Sequence, residues 1–232
     1  MGFISLICLI GFIYLLPNSQ HFEAKPLKMK TIMTNFRHHL ANKNLVKAYF
    51  IGGLSFFIFI NLYGYITFVL EAAPYSLSTK LIGLLFLTYL AGTFASSFSG
   101  KLAQKYSQPS CMMIGTGLLI LGSIITLEKG VFSIIFGLSI NSFGFFLTHS
   151  TSSAWVSKQA SFSKINANAS ASALYLTFYY LGASLGSFYL DPFWQTYHWS
   201  GVIFASLLIF MIIFYLAFSL SKNTQIQVCK LA

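Results

Sequence analysis

Acidic residues are nearly missing from this chain. Among 232 residues only Glu23, Glu71, Glu128 and Asp191 carry a carboxylate. Each stands in a polar joint or at the edge of an apolar stretch, so no two are placed for paired acid–base chemistry. Cysteine is as thin: Cys8, Cys111 and Cys229 are far apart, odd in number and form no CxxC pair. That spacing argues against a disulfide framework and against a thiolate metal cage. Charged residues make up 8% of the chain, where a soluble domain carries about 25%. No glycine-rich phosphate loop follows a strand, because no strand pattern is present. These absences exclude an enzyme, a bound metal or cofactor, and a soluble globular fold.

What fills the chain is apolar sequence, at 56% hydrophobic residues and a mean hydropathy of +0.73. Only uncharged helices of about 20 residues cross a hydrocarbon layer about 30 Å thick. The pattern predicts spans over Gly2–Leu16, Ala48–Leu70, Leu81–Phe98, Cys111–Leu127, Val131–Thr148, Ala171–Phe188 and Val202–Leu220. Pro17, Pro26, Pro74, Pro109 and Pro192 fall outside or at the edges of these spans, where a missing N–H costs little. Trp155, Trp194 and Trp199 sit near span ends, at the headgroup level their amphipathic rings favour. The expected fold is an all-α integral membrane bundle in contact with lipid.

The net charge of +10 does not point to nucleic acid, because the cations are confined to alternate joints. Lys25, Lys28, Lys30, Arg37, Lys43 and Lys47 share one joint; Lys101 with Lys105, Lys158 with Lys164, and Lys222 with Lys230 occupy joints on the same side. The opposing joints hold only Lys80 and Lys129. The rich side is expected to be cytoplasmic, which puts the C-terminus inside and the N-terminus outside. Asn168-Ala169-Ser170 fits the glycosylation pattern, but on the cytoplasmic side it reads as chance. The first span lacks a basic leader and Leu16-Pro17-Asn18 is a poor cleavage site, so Gly2–Leu16 reads as the tail end of a longer helix. In the basic joint, Asn35 to Lys47 mixes charge with apolar residues. A helix on the membrane surface and a solvated linker fit it equally.

Polar groups within spans are the candidate functional residues, since hydrocarbon penalises them and a water-lined cavity does not. Asn141, Phe145 and Thr148 fall on one helical face, with Ser142 and His149 beside them. Tyr175 and Tyr179 share a face with Gly182 and Gly186, and Asn61 and Tyr65 lie one turn apart. Facing a common space, these would form an aromatic cavity with a few hydrogen-bonding groups, suited to amphipathic organic molecules. Asn, Ser and Thr also serve as interhelical packing contacts, and that reading stands beside the first. His149 is a candidate for proton coupling because its titration range is physiological. Gly92, Ser96 and Gly100, like Gly182 and Gly186, form small-residue stripes expected to let helices approach closely.

Several strings carry a resemblance. They are Leu62-Tyr63-Gly64-Tyr65, the run from Gly83 to Thr93, Gly144-Phe145-Phe146-Leu147-Thr148-His149, and the run from Ala171 to Gly182. With the helix ending at Leu16-Pro17-Asn18 and the long basic linker, they resemble a major facilitator superfamily transporter of the drug and sugar efflux type, the YnfM-like group. The resemblance implies a fold of two six-helix halves. Residues 1–16 would be the last helix of the first half, 17–47 the cytoplasmic linker, 48–220 the second six-helix bundle and 221–232 a cytoplasmic tail. The spans from Ala48, Leu81, Val131 and Ala171 would line the cavity, and those from Cys111 and Val202 would be peripheral. The family's loop Gly-x-Leu-Ala-Asp-Arg-x-Gly-Arg is replaced by Gly100-Lys101-Leu102-Ala103-Gln104-Lys105-Tyr106-Ser107-Gln108, which removes the acidic and final basic positions. The implied function is proton-coupled efflux of small organic molecules across a bacterial inner membrane. The chain would be a truncated or split half, inactive unless a separate chain supplies the other helices or two copies pair. A seven-helix sensor or assembly partner without transport activity is the alternative.

Overall fold

The computed structural model describes residues 2–15, 28–163 and 167–229; Lys164, Lys230 and residues 17–27 of the expected linker lie outside the described residues. The chain divides into two compact units, Met1–Ile32 and Met33–Ala232. The first contains helix α1 (Gly2–Leu15), apolar on every side and uncharged. Helix α2 (Met29–Ala41) straddles the boundary. Within the second unit, its residues Phe36 and His39 face the bundle.

The basic segment from Asn35 to Lys47 is not one surface helix. Asn42 breaks it by capping the next one, its Oδ1 accepting the N–H groups of Asn44 at 3.0 Å and Leu45 at 3.3 Å. Helix α3 therefore runs over Lys43–Glu71, starting ahead of the apolar stretch, because the cap satisfies first-turn donors that would otherwise be orphaned.

Helix α4 (Thr79–Tyr106) carries a stretch of tighter 3-10 turns at Leu84–Thr88. It buries only a stripe, Ile82, Leu85, Thr88, Gly92 and Ala95, and exposes Leu81, Phe86, Leu90, Phe94 and Phe98. Helix α5 spans Gln108–Ile125 and α6 spans Val131–Ser161. A continuous helical segment, Asn168–Cys229, is broken at His198, whose φ of 51° and ψ of −137° are not helical. Its two parts are α7 (168–197) and α8 (199–229). Five helices are long and apolar enough to cross a membrane, the fifth being this broken pair. Of the six predicted spans from Ala48 onward, five fall inside helices and Cys111–Leu127 overruns the end of its helix, Ile125, by two residues.

Packing follows the small residues. Gly115 and Gly122 of α5 meet Gly144 and Gly137 of α6, where an added Cβ on Gly144 would come 2.5 Å from the Gly115 oxygen. Both pairs repeat every seventh residue, so one seam runs along each helix and the backbones come close. The α3–α7 seam is built the same way. A Cβ on Gly53 would meet the Phe178 carbonyl at 2.6 Å, and one on Gly182 would strike the Gly53 carbonyl. Helix α8 buries Val202, Ala205, Phe210, Ile213 and Ala217 and exposes Phe204, Met211 and Tyr215, so it is peripheral but one-sided.

The helix ends differ in charge. Lys47 donates to Ser219 Oγ at 2.7 Å and His39 bonds to Ala167, which brings Arg37, Lys43, Lys47, Lys101, Lys105, Lys158 and Lys222 to one end. Among the described residues no carboxylate shares it. The opposite end holds Glu71, Glu128 and Asp191 with Lys80 and Lys129.

Candidate functional site

Aromatic side chains from four helices meet in the middle of the bundle. Phe59 of α3 stacks on Phe145 of α6 with ring centroids 3.9 Å apart. One turn away, Phe56 stacks on Tyr179 of α7, also at 3.9 Å with planes 9° apart. Tyr89 of α4 closes the group, 5.3 Å from Phe59 and 4.8 Å from Tyr63. The Tyr63 hydroxyl lies 2.5 Å from Thr88 Oγ1 and donates to the Leu138 carbonyl at 3.2 Å. Each aromatic pair adds about 0.5–1.5 kcal/mol beyond its area. The cluster is therefore a rigid floor.

His149 is the polar centre of this floor. Its ring lies 4.8 Å from Tyr179, 5.7 Å from Tyr175 and 5.9 Å from Phe145. Its Nδ1 lies 3.1 Å from the buried Tyr175 hydroxyl, which leaves Nε2 for another partner. The predicted span Val131–Thr148 would put His149 at a helix end, but α6 continues to Ser161 and holds it well inside. In the polar run after it, Ser150 and Thr151 each donate at 2.7 Å to the carbonyl four residues back, which satisfies their hydroxyls within the helix. Ser150 also donates to Ser96 of α4 at 3.0 Å. Phe56, Tyr89, Phe146, His149 and Tyr179 are half-buried, so the face they form is accessible rather than sealed. It offers flat apolar surface with an imidazole and a phenol within it.

The predicted residues divide. Phe145, His149, Tyr175 and Tyr179 come together here. Asn141 does not: its Nδ2 donates to Leu119 O at 3.1 Å and Ser123 Oγ at 2.8 Å, clamping α6 to α5. Thr148 also faces α5, beside Gly115. Asn61 donates to Phe57 O at 2.8 Å and to Ala183 O at 3.3 Å, lying under Gly186 in the α3–α7 seam. Tyr65 packs near one helix end against Trp194 at 5.3 Å. Of the stripe on α4, Gly92 lies under the Phe146 ring, Ser96 bonds Ser150, and Gly100 has nothing within 4 Å of an added Cβ. The close approach therefore ends before Gly100. Phe56, Phe59, Tyr63, Tyr89 and Phe146 escaped the sequence reading. Phe56, Phe59 and Tyr63 do share one helical face, but among 25 phenylalanines such spacing is common.

The sequence profile of the Major Facilitator Superfamily matches residues 1–187. The chain is 36% identical over 220 residues to an uncharacterized transporter of Buchnera aphidicola from Schizaphis graminum, covering 95% of this chain and 52% of that protein. It is 34% identical over 203 residues to the uncharacterized MFS-type transporter YybF of Bacillus subtilis, covering 88% and 49%. It is likewise 34% identical to the inner membrane transport protein YnfM of Escherichia coli, covering 87% and 48%. The chain spans about half the length of the curated relatives it matches.

Proposed function

The chain belongs to the major facilitator superfamily, and from that membership we propose that it supplies one bundle of a proton-coupled transporter exporting small amphipathic organic molecules across a bacterial inner membrane. The observation that carries this reading is the half-buried aromatic face around His149, which unites α3, α4, α6 and α7 without a carboxylate. Such a face holds a flat apolar body by stacking and orients it through Tyr179 and His149. His149 is the group in it that can take up and release a proton, and in this reading it couples the substrate's passage to one. The basic helix ends face the cytoplasm, as cation-rich connections do, and the inner-membrane setting follows the similarity to YnfM.

In this reading a second bundle, from another chain or another copy, covers the aromatic face. Alternating access rocks one bundle against the other around a site near the bilayer midplane. Proteoliposomes provide the test. An imposed pH gradient should drive flux of a fluorescent amphipathic amine when this bundle is joined to a facing bundle, and not with this chain by itself. Gradient-driven flux by the single chain would remove the two-bundle requirement. No flux from the joined bundles with a panel of such amines would remove the substrate class.

A further inference from the structure

At the basic end, the last turns of α4, the start of α5 and a stretch of α6 enclose a polar cavity of about 560 Å³. Its wall includes Gln104, Ser107, Gln108, Trp155, Lys158 and Gln159. The lining thus presents three amides, a hydroxyl and one ammonium group, and no carboxylate.

Two independent features place unpaired donors on residues that line it. The first is the start of α5, an 18-residue helix. Ser107 Oγ accepts the Ser110 N–H at 3.4 Å and the Ser107 carbonyl accepts the Cys111 N–H at 3.1 Å. Pro109 has no N–H, so Gln108 N–H is the first-turn donor left at the positive end of the helix dipole. The second is Trp155, only 3% exposed. A buried indole N–H normally finds an acceptor; Trp199 does so in this chain, donating to Thr126 O at 3.0 Å. The Trp155 N–H has no acceptor among the described residues, yet it is not one of the fully sealed unpartnered atoms. Trp155 is itself one of the residues that line the cavity.

A donor-rich, carboxylate-free hollow with an idle indole N–H is built for an oxyanion. We propose that this cavity binds a phosphate group, with oxygens on Lys158 Nζ, the Trp155 indole N–H and the Gln108 backbone N–H. The phosphate comes either from the headgroup of an anionic phospholipid or from a soluble phosphate, and the chemistry of the seat is the same for both. The site is separate from the aromatic face and does not rest on the transport reading.

The test uses the full chain labelled with ¹⁵N-tryptophan in maltoside micelles, which contain no phosphate. The three indole signals are assigned with Trp155→Phe, or by elimination with Trp194→Phe and Trp199→Phe if the first variant does not fold. The Trp155 signal should move saturably when phosphatidylglycerol is mixed into the micelles or when inorganic phosphate is added. Movement with the lipid alone identifies a headgroup site; movement with inorganic phosphate identifies a site for soluble phosphate. Lys158→Gln should weaken the response about fivefold, while Lys101→Gln, at the same end but outside the lining, should not. A Trp155 signal that ignores both additions, or an equal loss in the two lysine variants, would overturn the proposal.

Discussion

The rings of Phe59 and Phe145 lie flat on each other, their planes 6° apart. Each is only 1% exposed. Through this contact α3 and α6 share one core, and the half-buried rings of Phe56 and Tyr179 rest above it. The hidden pair and the accessible pair therefore differ in burial, although all four are aromatic and adjacent.

Truncating the two layers should separate stability from transport. Phe145→Ala removes a buried ring and should cost about 3–5 kcal/mol, read as a drop in the thermal unfolding midpoint in detergent. Tyr179→Ala, in a two-bundle transporter, should cost less stability and abolish most flux. Equal loss of stability in both variants would mean that Tyr179 is part of the core.

The glycines give a sharper contrast. Gly182 faces the Gly53 carbonyl too closely for a Cβ, whereas Gly100 has open space around it. Gly182→Ala should therefore prise α7 from α3 and cost about 1–3 kcal/mol. Gly100→Ala, within a helix, should instead stabilise by roughly 0.5–1 kcal/mol. A melt showing the same sign for both would contradict the seam.

Asn141 and His149 lie two turns apart on α6 with different neighbours, and they should fail differently. Asn141→Ala breaks the clamp on Leu119 and Ser123, an interhelical contact of about 0.6 kcal/mol on average. It should lower the melting midpoint and leave the pH profile of flux alone. His149→Gln should leave the midpoint nearly unchanged and flatten the pH profile of flux. Unchanged pH dependence in His149→Gln would end its role in proton coupling.

That contrast shows what the sequence could reveal. Hydropathy located the six spans from Ala48 onward, because a lipid solvent forces long apolar helices. Helical spacing also grouped Tyr175 with Tyr179, whose ring centroids lie 6.3 Å apart. It failed for Asn141 and Thr148, because spacing defines a face but not which neighbour that face meets. Here the Gly115–Gly144 approach draws α5 onto it. The Gly115, Gly122, Gly137 and Gly144 seam was itself visible as two seven-residue spacings, but such pairs are frequent in a chain with 17 glycines. The end of α6 was misjudged because serines and threonines that bond back to their own helix look, as a string, like a loop.

The last expectation concerns α2, outside the membrane spans. His39 is fully buried and its Nε2 donates to the Ala167 carbonyl at 3.2 Å, while its Nδ1 is sealed without a partner. Burial holds its pKa below the ordinary imidazole value; the Ala167 bond opposes this and neighbouring His38 adds to it. A group with a depressed imidazole pKa binds fewer protons folded than unfolded, so its contribution to stability rises with pH. The docking of residues 33–41 should be firmest above about pH 6.5, the ordinary imidazole value, and weaken as pH falls toward the lowered one. Amide exchange of this segment, corrected for its intrinsic pH dependence, should accelerate over that window. His39→Gln keeps a donor for Ala167 but cannot titrate, so its exchange, corrected for intrinsic chemistry, should stay level. Acid-accelerated exchange persisting in that variant would place the sensor elsewhere.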